Sequence, residues 1–190
     1  MTVASFVILA LALVAGIYAI SLYNGLVAVK HNVDKAWANI DVLLRQRHDE
    51  LPKLIETCRQ YMKYEQETLE KVIQARSSVA TAQSAGDVKA LGAAETELRG
   101  GLGRLFALAE NYPDLKADDT FRHLQQRISG LESAIADRRE LYNESVNINN
   151  VRIEQFPDTL LAARAGARPR ELLQFSAEET RDVDVKALFG

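Results

Sequence analysis

A chain of 190 residues with four Pro, ten Gly and abundant Ala, Leu, Glu, Gln and Arg has the length of one domain and the make-up of a mostly helical one. Its formal net charge of −3, with Lys and Arg scattered rather than massed, supplies no electrostatic footprint for a phosphate backbone, so nucleic acid is excluded as an expected partner. A single cysteine, Cys58, cannot close an internal disulfide, which excludes a disulfide-built secreted scaffold.

The first element is the apolar N-terminus. In "MTVASFVILALALVAGIYAISLYNGLVAVK" no ionisable side chain other than two tyrosines precedes Lys30. Residues 3–22, as a helix rising ~1.5 Å per residue, cover roughly 30 Å, the thickness of a hydrocarbon core. Eleven of them are Leu, Ile, Val or Phe. At about −0.3 to −0.6 kcal/mol each they contribute roughly −3 to −7 kcal/mol toward insertion. A cleaved signal peptide would need a basic n-region, and only the α-amino group is available there. Residues 1–24 are therefore expected to be a single-pass anchor in the cell (inner) membrane. Lys30 and Lys35 flank only its C-terminal side, which predicts a cytoplasmic helical domain. Ala12 and Gly16 have the small-residue spacing of close membrane-helix contacts, a pattern that an Ala-rich span also produces without meaning.

Apolar residues then recur at steps of three and four: Val33, Trp37, Ile40, Leu44, Leu51, Leu54, Cys58, Tyr61, Leu69, Val72 and Val79. This predicts a helix over about 25–84, kinked or split at 49–52, because Pro52 has no N–H and its ring clashes with the carbonyl four residues back. Gly86 suits the C-terminal cap and Asp87 the next N-cap. A second helix, 87–112, follows with Leu91, Leu98, Leu102 and Leu105 on one face, and Pro113 ends it at Tyr112. A third, 117–156, carries Phe121, Leu124, Ile128, Leu131, Ile135, Tyr142, Val146, Ile153 and Phe156. Long helices with short connections fold back as an antiparallel bundle, here spanning 25–166 and all-α. The remainder, 167–190, keeps Leu172, Leu173, Phe175, Val183, Val185, Leu188 and Phe189 amid polar residues, the pattern of a segment that docks on a neighbour.

Catalytic and metal chemistry finds little support. Gly100, Gly101 and Gly103 follow no strand, so they do not form a phosphate cradle. Of the acids Glu110, Asp114, Asp118 and Asp119, the last two stand just before Phe121, where carboxylates cap a helix, and the spacing lacks the alternation and glycine of a calcium loop. His31, His48 and His123 are too far apart for a shared metal, and Cys58 falls on an apolar seam. No catalytic residue, cofactor or metal is expected. The unusual feature is charge on or beside the seams: Arg47, Glu65, Arg76, Glu132 and Arg139. Interhelical ion pairs that fix register are one reading, and an internal polar site is the other.

The segments "YNGLV", "AWANIDVLLRQRHDELPKLIE", "LEKVIQAR", "RLFALAENYPDLKADDTF", "LYNESVNINNVRIEQFP" and "VDVKALF" together resemble the LemA family over residues 23 to 190. The chain departs from that pattern at Gln46, His48, Lys53, Gln60 and Tyr64. The resemblance implies a single N-terminal membrane helix, a bundle of four-helix character on the cytoplasmic or, in some relatives, the extracytoplasmic side, and no enzymatic activity. It makes Tyr23, Asn24, Trp37, Glu110, Tyr112, Pro113, Tyr142 and Asn143 interaction candidates beside the seam charges. By analogy it implies links to membrane proteases of the HtpX type and to magnetosome formation. The expected protein is a non-enzymatic scaffold or adaptor that homo-oligomerises on the lipid bilayer with other membrane proteins. The competing expectation is a ligand-sensing bundle that signals through its anchor.

Overall fold

A computed structural model describes residues 3–175. It contains six helices: α1 (Val3–Tyr61), α2 (Gln66–Ala85), α3 (Val88–Ala109), α4 (Pro113–Ala117), α5 (Asp119–Glu154) and α6 (Thr159–Ala162). No strand occurs among the described residues, so the chain is all-α with a long apolar N-terminal helix.

Of the kink or split expected at 49–52, the split does not occur. Helix α1 runs through Pro52 without interruption. Proline leaves the His48 carbonyl without its intrahelical donor, and the Arg76 guanidinium replaces it, donating from Nε to His48 O at 3.0 Å. The turn comes instead at Met62–Glu65, where Glu65 N–H bonds Met62 O and the chain reverses into α2. Helix α2 ends on Gly86 at φ +67°, with the Asp87 N–H reaching back to the Ala82 carbonyl. Only glycine takes that conformation at no steric cost. Asp87 then caps α3 by accepting from Ala90 N–H at 2.8 Å. Helix α3 stops at Ala109, short of the expected Tyr112, because Tyr112 is drawn out to φ −117° before Pro113 starts α4.

The chain divides into two compact units. One comprises Ile40–Arg139 and the chain from Leu172 on. There α2 and α3 pack as a hairpin with the later part of α1 and the earlier part of α5. Its core holds Ile40, Leu44, Leu51, Leu54, Cys58, Leu69, Val72, Leu91, Leu98, Leu105, Phe121, Ile128 and Ile135, most of the predicted seams.

The other unit comprises the chain up to Asn39 and Glu140–Glu171. Leu26, Ile153, Ala162, Ala165 and Ala167 form its core cluster. Its N-terminal stretch is bare: residues 3–20 are exposed throughout, and the most apolar window of α1 has a mean hydropathy of 2.6 with none of it buried. By length and composition that segment suits a bilayer crossing. Phe156, placed on a buried seam by its spacing, is 79% exposed because α5 ends two residues earlier. Within the expected docking segment Leu173 and Phe175 are buried and Leu172 is exposed. Val183, Val185, Leu188 and Phe189 lie outside the described residues.

Candidate functional site

In the Ile40–Arg139 unit the helical spacing places three charges where leucines would stand. Arg47 follows Leu44 by three residues, Glu95 follows Leu91 by four, and Glu132 follows Ile128 by four. Arg47 is 1% exposed and Glu95 0%. The Arg47 guanidinium donates from Nη1 to Glu132 Oε1 at 2.6 Å and from Nη2 to Glu95 Oε1. Arg99 Nε lies 3.3 Å from the other Glu132 oxygen. Two cations thus face two carboxylates, the condition under which buried charge is tolerated. Burial pulls Arg47 down, but the two carboxylates outweigh it and hold the guanidinium above its ordinary value. Burial pushes the Glu95 carboxyl up, opposed by Arg47. Arg47 Nε and Glu95 Oε2 have no hydrogen-bond partner among the described residues, so the cluster is incompletely satisfied.

The returning chain closes one side of this unit. The Gln174 carbonyl occupies the space a Cβ on Gly92 would fill, which explains a glycine on the buried face of α3. The Phe175 ring lies under Arg139 at 4.2 Å and Arg99 at 5.4 Å, within cation–π range. Of the five seam charges, then, Arg47 and Glu132 meet, and Arg139 stacks on an aromatic ring. Arg76 serves Pro52, its Nη2 also lying 2.7 Å from His48 Nε2. Burial, helped by Arg76, lowers the His48 pKa, which keeps that ring neutral. Glu65 accepts from the Tyr112 hydroxyl at 3.4 Å.

The other unit clamps the chain through its backbone. Tyr142 stacks on half-buried Trp37 at 5.3 Å and donates its hydroxyl to the Glu171 carbonyl at 2.9 Å. Asn149 donates to Arg168 O, and Asn150 both donates to Arg170 O and accepts from Arg170 N–H, each at 2.9 Å. These amides read main-chain groups and tolerate any side chain there. The Arg152 guanidinium lies where a Cβ on Gly25 would be and pairs with Asp158 at 3.3 Å. Tyr23 and Asn24 are exposed, and Asn143 is half-buried.

At the central turn Asp118 accepts from Phe121 N–H at 2.9 Å and from the Tyr61 hydroxyl at 3.1 Å. Glu110 pairs with Lys116, Asp119 pairs with Arg122, and Pro113 opens α4. These acids act as caps and surface ion pairs. Among the described residues no three His, Cys, Asp or Glu side chains are grouped to hold a metal. Cys58 is buried and its thiol is pushed up to about 12, far from a thiolate at neutral pH.

Glu95, Asn149, Asn150, Gly25 and Gly92 were not singled out by sequence reasoning. Glu95 had a signal, since it continues the three-four spacing between Leu91 and Leu98. The asparagines had none, because their partners are backbone groups of a distant segment.

The LemA family profile matches residues 36–187. Protein LemA of Metamycoplasma hominis is 28% identical over 170 residues, 87% of this chain and 74% of that protein. Magnetosome protein MamQ 2 of Paramagnetospirillum magneticum is 36% identical over 89 residues, 47% of this chain and 33% of its own. Magnetosome protein MamQ of Magnetospirillum gryphiswaldense is 37% identical over 81 residues, 43% and 30% respectively. The chain thus spans about a third of the length of the magnetosome proteins it matches.

Proposed function

The chain belongs to the LemA family, and from that premise we propose that it is a membrane-anchored, non-enzymatic scaffold that associates with further copies of itself and organises membrane-protein partners. The observation that carries this reading is α1: one helix leads from a bare, bilayer-length apolar segment into an ion-locked helical unit. The buried charges support a structural role, because Arg47 is spent on Glu95 and Glu132. A sensor would instead present those groups to an open cavity.

The partners proposed are the bilayer, other copies of the chain, and membrane proteins, with a protease of the HtpX type the first to test. Similarity to the magnetosome proteins supports a role in membrane organisation. Lys30 and Lys35, on the C-terminal side of the apolar run, support a cytoplasmic helical domain at the inner membrane. Photo-crosslinking groups at exposed Val42, Leu141 and Ile148, activated in intact membranes, test the proposal. Adducts between copies and with defined membrane proteins are expected. Crosslinks to small soluble molecules alone would overturn it in favour of a sensor.

A further inference from the structure

The unit built from the chain up to Asn39 and Glu140–Glu171 has a second apolar surface besides the anchor. Phe156 is 79% exposed and Leu160 67%. Ile153, Ala162 and Ala165, on either side of them in the chain, are buried in the cluster that contains Leu26. The turn after α5 is therefore fixed on one side and bare on the other. A lone exposed apolar residue needs no explanation, but here two coincide with a register and a charge pattern.

The register comes from the antiparallel pairing of α1 and α5 inside this unit. Trp37 stacks on Tyr142, and Arg152 packs over Gly25. Passing from the first pair to the second takes twelve residues along α1 and ten along α5, so the two helices keep step. Ile153 then stands near the level of Leu26, and α5 ends one residue later at Glu154, so the turn that carries Phe156 and Leu160 begins at that level and returns to it through Ala162 and Ala165, which share the Leu26 cluster. Leu26 lies four residues past the apolar run 3–22. Phe156 and Leu160 are thus held close to where that run ends, the region that aromatic side chains favour at a bilayer interface.

The charge pattern agrees. Residues 159–170 contain Arg164, Arg168 and Arg170 and no acid. Arg164 and Arg168 are exposed, and Arg170 bonds Asp34. Lys30 Nζ lies 3.4 Å from the Cβ position of Gly166, adding a cation at the same end. Asp158 is held by Arg152, which leaves Glu154 as the exposed acid beside the turn. Apolar tips rimmed by cations are the chemistry of binding to an anionic lipid surface.

We propose that the turn at residues 155–165 is an interfacial membrane foot: Phe156 and Leu160 seat among the headgroups of the bilayer crossed by residues 3–22, while Arg164, Arg168 and Lys30 face anionic lipid. This rests on residues 3–22 being the spanning segment, and the test separates the two claims. Trp37 is the single tryptophan. The full-length W37F/F156W and W37F/L13W proteins are reconstituted in phosphatidylcholine vesicles with and without phosphatidylglycerol, carrying lipids brominated near the headgroup or deep in the chain. L13W emission is expected to be quenched by the deep bromines. F156W emission is expected to fall roughly twofold with the shallow ones, more so with phosphatidylglycerol present, and R164E/R168E to remove that lipid preference. L13W quenched with F156W untouched overturns the foot and leaves the anchor standing. Neither quenched means the anchor reading has failed, and the foot with it. A blue-shifted F156W that brominated lipid cannot reach shows a protein surface covering the turn, which also overturns the proposal.

Discussion

Replacing Arg47 with Met removes a guanidinium that bonds both Glu95 and Glu132. Glu95, fully buried, loses its hydrogen-bonded counter-charge, while Glu132 keeps Arg99. Breaking a buried ion pair from one side costs about 3–5 kcal/mol, chiefly from the charge left behind. For a chain of this size that corresponds to a fall in melting temperature of roughly 6–20 °C. The loss should depend on pH in a fixed direction. Burial already raises the Glu95 pKa, and without Arg47 it rises further. A group whose folded pKa is raised contributes stability that is fully present below its unfolded value and is lost as pH rises through the folded one. The R47M deficit should therefore be largest above the raised folded value, shrink as pH falls from there toward the ordinary carboxyl value of 4.5, and be smallest below it. R47M/E95L, which removes both buried charges, should recover much of the stability. Thermal unfolding of the full-length proteins in mild detergent, followed by circular dichroism across that pH range, measures all three. A deficit under about 1 kcal/mol at neutrality, or one independent of pH, would refute the reasoning, since either implies that Glu95 reaches water.

Arg76→Ala should cost about 1–3 kcal/mol by orphaning the His48 carbonyl, and the cost should shrink in a P52A background, where the helix supplies its own donor; a double-mutant cycle in urea reads the coupling. Gly92→Ala should expel the Gln174 carbonyl from its seat on α3, so limited proteolysis near Phe175 should quicken while the remaining helices stay protected. The Asp118 carboxyl is held below its ordinary 3.8 by the Phe121 N–H, with the Tyr61 hydroxyl adding to it, so its contribution is present above that value and lost as pH falls through the lower folded pKa. Asp118→Asn should flatten the stability–pH slope in that acid window. Tyr61 is raised by the same carboxylate; its contribution is present below its ordinary 10.0 and lost above the raised value, so Tyr61→Phe should flatten the alkaline slope instead.

Much of this fold could be read from spacing alone. Apolar steps of three and four located α3 and α5, and Gly86–Asp87 located the end of α2 and the hairpin cap, because these signals depend on a residue's own backbone and immediate neighbours. The chain is not split at Pro52 for a non-local reason: the missing N–H is answered by Arg76, on another helix. The real turn at Met62–Glu65 contains neither Gly nor Pro, so local punctuation was absent. Arg47 and Glu132 were visible as charges on seams, and Glu95 continues the same three-four spacing between Leu91 and Leu98, but that Arg47 bonds both carboxylates emerges only when α3 is packed beside α1. Asn149 and Asn150 bind main-chain groups some twenty residues away, an interaction that leaves no residue-type signature in the partner segment.

The central claim is that the chain assembles on the membrane. It is tested most directly by the mass and symmetry of full-length particles cut from native membranes in polymer-bounded discs, beside a chain lacking residues 1–29. A regular particle holding many 21.1 kDa copies, lost when the anchor is removed, is the predicted result. A monomer or dimer that ignores the anchor would contradict the account.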